Sequence, residues 1–124
     1  MRLVFTLLLA GLVSAQAVPA TPNGVTADQV LIGLEGATNS FSSDEENLGM
    51  RLVMAEINAR GGIHGRRLVE RSYPRPGGAA IDEGVANARR LIEDDRVFLL
   101  FNMGGPAAVR IAPLAMSRQV PYLT

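Results

Sequence analysis

Three times in succession this chain sets a short apolar, β-branched run ahead of a segment with helical spacing, and then it begins a fourth run. The runs are QVLIGL at 29–34, RRLVERS at 66–72, RVFLLFN at 96–102 and QVPYLT at 119–124. Continuous apolar runs of this length suit strands buried on both faces, as in a parallel sheet. Strand–helix alternation buries its apolar faces when helices cross over between parallel strands and cover the sheet. The predicted fold class is therefore α/β, a doubly wound parallel sheet built β-α-β-α-β-α-β.

Local signals set the boundaries. Ser42 with Glu45, and Ser43 with Glu46, form two overlapping capping boxes ahead of a helix predicted to run to about Arg60. Leu48, Leu52 and Ala55, with Val53 and Ile57 beside them, give it an inward stripe. Gly61-Gly62 ends it, because glycine takes positive φ without steric cost. The second helix is predicted over 80–94, with Ile81, Val85, Ala88, Leu91 and Ile92 inward. Gly84 either weakens that helix or admits a close neighbour. Pro106 suits the first position of a third helix. Pro113 is expected to kink or divide it. The charged run 66–72 reads as an edge strand, and 96–102 as a central one.

Composition narrows the function. Basic and acidic residues balance at 12 each, so no net field draws the chain to nucleic acid or to an acidic membrane surface. There is no cysteine and one histidine, His64, which excludes disulfides, thiolate zinc sites and multi-histidine metal sites. Met1-Arg2, the apolar run Leu3–Val13 and the A-x-A spacing of Ala15 and Ala17 predict a cleaved signal peptide over 1–17. The apolar run is too short for a membrane span, which takes about 20 residues. A turn-rich leader over 18–28 follows, and 29–124 carries the fold.

Known catalytic patterns are missing. A dinucleotide fingerprint needs G-x-G-x-x-G after the first strand, whereas Gly33 and Gly36 stand three apart. The phosphate loop G-x-x-x-x-G-K-[ST] cannot exist without lysine. No serine sits in a G-x-S-x-G elbow. Glu35 is the best isolated carboxylate, and the simpler reading makes it a solvated loop residue. His64 reads as a turn residue, Arg66 and Arg67 as solvated charges beside a strand, and Glu93–Asp95 as a solvated helix end. In open α/β sheets ligands bind beyond the carboxyl ends of the strands. That points to two loops, 35–43 and 102–105, each leading into a helix N-terminus able to hold an anion.

The stretches GVTADQVLIG, AEINARGGIHGRRL, ANARRLIEDDRVFLLFNMGGPAA and APLAMSRQVPYLT, in that order, resemble the periplasmic substrate-binding proteins of branched-chain amino acid ABC transporters. This is the leucine/isoleucine/valine-binding family, with the type I periplasmic-binding fold. The resemblance covers about 24–124 and implies an N-terminal fragment: an incomplete first lobe of a two-lobed fold, with the second lobe absent. It implies binding without catalysis, no cofactor, an amino acid or analogue as the small-molecule ligand, an ABC permease as partner, and a periplasmic location. A ligand-sensing regulatory protein of the same fold is the alternative. Carried over by position, the ligand contacts fall on Phe41 or Ser42 in one loop and on Asn102, Met103, Gly104, Gly105 and Ala107 in the other. The family often places a Ser or Thr hydroxyl where this chain has Gly105, which argues against an ordinary α-amino acid ligand. Backbone N–H groups of Gly104, Gly105 and Ala107 remain for a carboxylate.

Overall fold

The computed structural model describes residues 22–36, 41–75, 81–102 and 105–124, and of 41–46 the backbone alone. The predicted signal peptide lies outside the described residues. The elements are β1 (Gln29–Glu35), α1 (Phe41–Ala59), β2 (Arg67–Ser72), α2 (Ile81–Glu93), β3 (Leu99–Asn102), α3 (Pro106–Ser117) and β4 (Tyr122–Leu123). All four strands lie parallel in one sheet, ordered β2-β1-β3-β4. The chain moves outward from β1 to β2, then returns past β1 to β3, so strand order reverses between β1 and β3.

Each face of the sheet has its own apolar layer. Met54 of α1 packs on Val30 and Ile32, with Met50, Leu68 and Leu99 around them. On the other face Ala88, Leu91 and Ile92 of α2 join Ala107, Ile111 and Ala115 of α3 over Leu100, Val97 and Val120. The alternation of β1 explains this division: successive side chains point to opposite faces. The inward residues expected for α2 are those found, with Ala88, Leu91 and Ile92 buried and Ile81 and Val85 packed against them.

The inward stripe expected for α1 is not the one found. Leu48, Leu52 and Val53 are 55%, 61% and 55% exposed, while Asn47 and Met54 are buried. Two stripes at helical spacing compete in this helix: 48/52/55 and 47/50/54/57. The second wins because Asn58 extends it onto β2. The Asn58 Nδ2 donates to the carbonyl oxygen of Leu68 at 2.9 Å, and the Leu68 N–H donates to Asn58 Oδ1 at 2.8 Å. α1 also begins at Phe41, so Ser42 and Ser43 stand inside its first turn and not ahead of it; their side chains lie outside the described residues.

Three further expectations change. α3 runs through Pro113 without dividing. The carbonyl that this proline cannot serve belongs to Val109, on a face open to water, where Val109 is 78% exposed. β3 starts at Leu99, after Arg96 takes a left-handed φ of 54° and ends the α2 turn. Arg66 is tied down: its Nε donates to the Thr26 carbonyl oxygen at 2.7 Å.

The glycines after α1 do the work expected of them. Gly62 N–H donates to the carbonyl oxygen of Ile57 and Gly61 N–H to that of Asn58, at 2.9 and 3.1 Å, the Schellman pattern. Ile63 and Arg66 then exchange both backbone hydrogen bonds across His64-Gly65, which take φ 50° and 80°. Positive φ at both central residues is the tight hairpin turn of type I′.

Candidate functional site

β1 and β3 end side by side, with Glu35 level with Asn102. This is where strand order reverses, and in sheets of this kind the crevice beyond that point receives ligand. Both predicted loops open from it.

Glu35 is not the solvated carboxylate expected from the sequence. It is 1% exposed, the last residue of β1, pointing to the α2 side of the sheet. Arg75, at 8% exposure, brings Nε to 2.7 Å from Glu35 Oε1 in a buried ion pair. Asn102, 1% exposed, donates from Nδ2 to the other carboxylate oxygen, Oε2, and to the Glu35 backbone carbonyl at 3.2 Å. Burial raises the Glu35 carboxyl above its ordinary range, against the pull of the Arg75 guanidinium and of the hydrogen bonds from Arg75 and Asn102. Burial, and with it the charge of Glu35, also raises the Tyr122 phenol on β4.

Space for this cluster comes from Gly84 in the first turns of α2. A Cβ there would stand 3.1 Å from Glu35 Oε1 and 3.3 Å from both Cδ and Nε of Arg75. Of the two roles open to Gly84, admitting a close neighbour is the one realised. Sequence reasoning missed Arg75, which lies among prolines and glycines in YPRPGG; the signal was a charged residue in the loop before a helix with a glycine in its first turns.

Of the residues carried over by family position, Asn102 lies at the centre of this cluster. Gly105 is the exposed N-cap of α3, at φ 79°, with no side-chain cap hydrogen bond. Ala107 is buried in the first turn behind it. Phe41 begins α1, but its side chain, that of Ser42, and all of Met103 and Gly104 lie outside the described residues. The structure thus brings Asn102, Gly105 and Ala107 to one end of the sheet with Glu35 and Arg75.

The surface grooves lie elsewhere. One of about 480 Å³ runs between α1 and β2, lined by Met54, Asn58, Leu68 and the Arg51–Glu70 ion pair. It is open to solvent, lies on the outer edge of the sheet, and also takes in Arg67, whereas the candidate site lies at the strand ends. Among the described residues no group of histidine, aspartate and glutamate could hold a metal, and no helix is long and apolar enough to cross a membrane. His64 is exposed in its turn. Asp95 accepts from the Tyr73 hydroxyl at 2.7 Å and pairs with Arg71, while Glu93 pairs with Arg89 and Arg118.

Comparison with known proteins agrees with this topology. A family profile described as periplasmic binding protein matches residues 30–124. No curated protein matches the chain. Among solved structures it is similar to the branched-chain amino acid transporter substrate-binding protein LivJ from Streptococcus pneumoniae, in complex with isoleucine. That match has TM-score 0.62 and 22% identity over 77% of this chain and 28% of the other. A possible leucine/isoleucine/valine-binding protein from Rhodopirellula baltica matches with TM-score 0.61 and 22% identity, over 83% of this chain and 28% of the other. A solute-binding protein of an ABC transporter from Rhodopseudomonas palustris, in complex with 3,4-dihydroxybenzoic acid, matches with TM-score 0.59 and 24% identity, over 77% and 26%. At such identities the likeness is one of fold. The chain spans about a quarter of the length of these proteins.

Proposed function

We propose that this chain, which belongs to the periplasmic binding protein family, is the N-terminal part of the first lobe of a solute-binding component of an ABC transporter. On this reading residues 1–17 direct export to the periplasm, 18–28 lead into the fold, and 29–124 build the lobe. The solute is an amino acid or a related small acid, taken without catalysis and delivered to an ABC permease.

The observation that carries the reading is the pair of strand ends at Glu35 and Asn102. They sit where strand order reverses, in a family of solute-binding proteins, and both ligand loops leave from them. The first turn of α3 supports the choice of an anionic group: Gly105 offers no side chain there, so an anion can approach the backbone N–H groups. Phe41, Ser42, Asn102, Met103, Gly104, Gly105 and Ala107 are the proposed contacts.

The test is calorimetry and thermal shift on the mature full-length protein with amino acids, amides and small aromatic acids. A solute at a hundredfold excess over its Kd adds ~2.7 kcal/mol to stability, which a melting curve resolves easily. Heat of binding from at least one of these classes is expected. Silence from all three classes sinks the proposal.

A further inference from the structure

We infer that Arg75 is a positioning residue for solute binding: its ion pair with Glu35 latches the segment leaving β2 onto the carboxyl ends of β1 and β3, and so fixes the strand ends from which the ligand loops leave. This rests on the solute-binding reading of the strand ends.

Four parts of the chain meet at this pair. Glu35 comes from the end of β1 and Asn102 from the end of β3. Arg75 comes from the segment after β2, and Gly84 from α2 supplies the space. Asn102 holds the backbone carbonyl of Glu35 as well as its carboxylate, so the two strand ends are tied to each other at the same point. The segment carrying Arg75 has no strand partner, so the ion pair adds a tether where the sheet ladder offers none. Both side chains are buried, Glu35 at 1% and Arg75 at 8% exposure, so the pair acts by holding the strand ends in place.

Stability alone is a poor reason to keep such a pair. Taking both charges out of water costs about as much as their attraction returns, and well-packed apolar residues serve as well or better. A buried pair does fix one geometry, because an alternative packing would strand a charge. The pair stands at the strand ends from which two loops expected to touch solute leave, where a single geometry matters, since affinity falls when a site must be ordered on binding.

The experiment uses the mature full-length protein, with isoleucine and 3,4-dihydroxybenzoate as calorimetric probes. Three variants are compared with the parent: Arg75→Met, Arg75→Lys, and the apolar double variant Glu35→Met with Arg75→Met. The double variant separates positioning from folding, because it leaves no buried charge unpaired. For whichever probe the parent binds, Arg75→Met and the double variant are expected to weaken affinity by about tenfold or more. Arg75→Lys is expected to recover part of that loss. A folded double variant that binds as tightly as the parent overturns the latch. Should the parent bind neither probe, the solute-binding reading is left to the wider screen above, and the latch is judged by hydrogen exchange. There Arg75→Met is expected to speed exchange at Val85–Asn87 in α2 and at the end of β3 more than elsewhere, and unchanged exchange at both places overturns it.

Discussion

Asn58 and Leu68 are joined as two strands would be, with the side-chain amide standing in for a strand's backbone. The amide donates to the Leu68 carbonyl at 2.9 Å and accepts from its N–H at 2.8 Å. β2 is an edge strand, and the N–H of its first residue, Arg67, turns toward β1, donating to Asp28. Leu68 faces the open side, so Asn58 closes the edge at that point. Asn58→Ala is expected to cost about 2 kcal/mol, two partly buried hydrogen bonds at about 1 kcal/mol each. Urea denaturation measures this, and a loss below a few tenths of a kcal/mol contradicts it.

The Glu35–Arg75 pair gives a second prediction, in which single and double changes differ in sign. Glu35→Met or Arg75→Met alone strands a buried charge and is expected to cost about 3–5 kcal/mol. The two together are expected to be neutral or stabilising by about 1–4 kcal/mol. Equal and additive losses would mean that the two side chains do not interact.

Acid should favour this pair's carboxyl. The folded Glu35 pKa is raised above its ordinary 4.5 by burial. Its titration therefore contributes stability that is full below 4.5 and is lost as pH rises through the folded value. Glu70 opposes it: its carboxyl is lowered, first by the hydrogen bond from Arg51, so its contribution is present above 4.5 and lost as pH falls through the folded value. The stability of parent minus Glu35→Gln is expected to shrink between pH 4 and 7. A difference that grows over this range reverses the assignment.

Gly84→Ala sets helix propensity against crowding. In a free helix the change gains about 1 kcal/mol. Here the new methyl meets Glu35 Oε1 at 3.1 Å and Arg75 at 3.3 Å, and the ion pair stops either from yielding. The substitution is expected to destabilise the parent and to stabilise an Arg75→Ala background. Denaturation of the four proteins gives the coupling directly.

The two glycines closing α1 are not equivalent. A Cβ on Gly61 meets nothing within 4 Å, so Gly61→Ala bears only the strain of φ 98°, about 1–2 kcal/mol. A Cβ on Gly62 would overlap the carbonyl oxygen of Arg66, which is backbone and cannot turn aside. Gly62→Ala is expected to lose most of the fold's stability, and similar melting temperatures for the two variants would contradict this.

Gln119 holds φ 55° where helix ends usually place glycine. The N–H of Val120 reaches back to the Ala115 carbonyl at 3.0 Å, so the turn is fully formed around it. Gln119→Gly is expected to add about 1 kcal/mol by relieving the left-handed strain. A loss of stability in the same assay would show that the glutamine side chain holds something the backbone does not.

The sequence by itself determined the order of elements, the parallel sheet and the family. These rest on short-range signals: apolar runs of strand length, helix periodicity, and glycines or prolines at the breaks, as in AEINARGGIHGRRL. Topology also puts the proposed ligand loops at the carboxyl ends of β1 and β3. Only the tertiary structure decided which way α1 faces. Leu48/Leu52/Ala55 and Asn47/Met50/Met54/Ile57 are both sound helical stripes, and the choice fell to Asn58 because a partner at Leu68, ten residues on, turns that face inward. The tertiary structure also decided that Glu35 is buried, since its partner Arg75 lies forty residues away and meets it only after β1, β2 and α2 have packed. Local pattern reports how a segment can fold, and the charge state and burial of one side chain depend on what the rest of the chain brings against it.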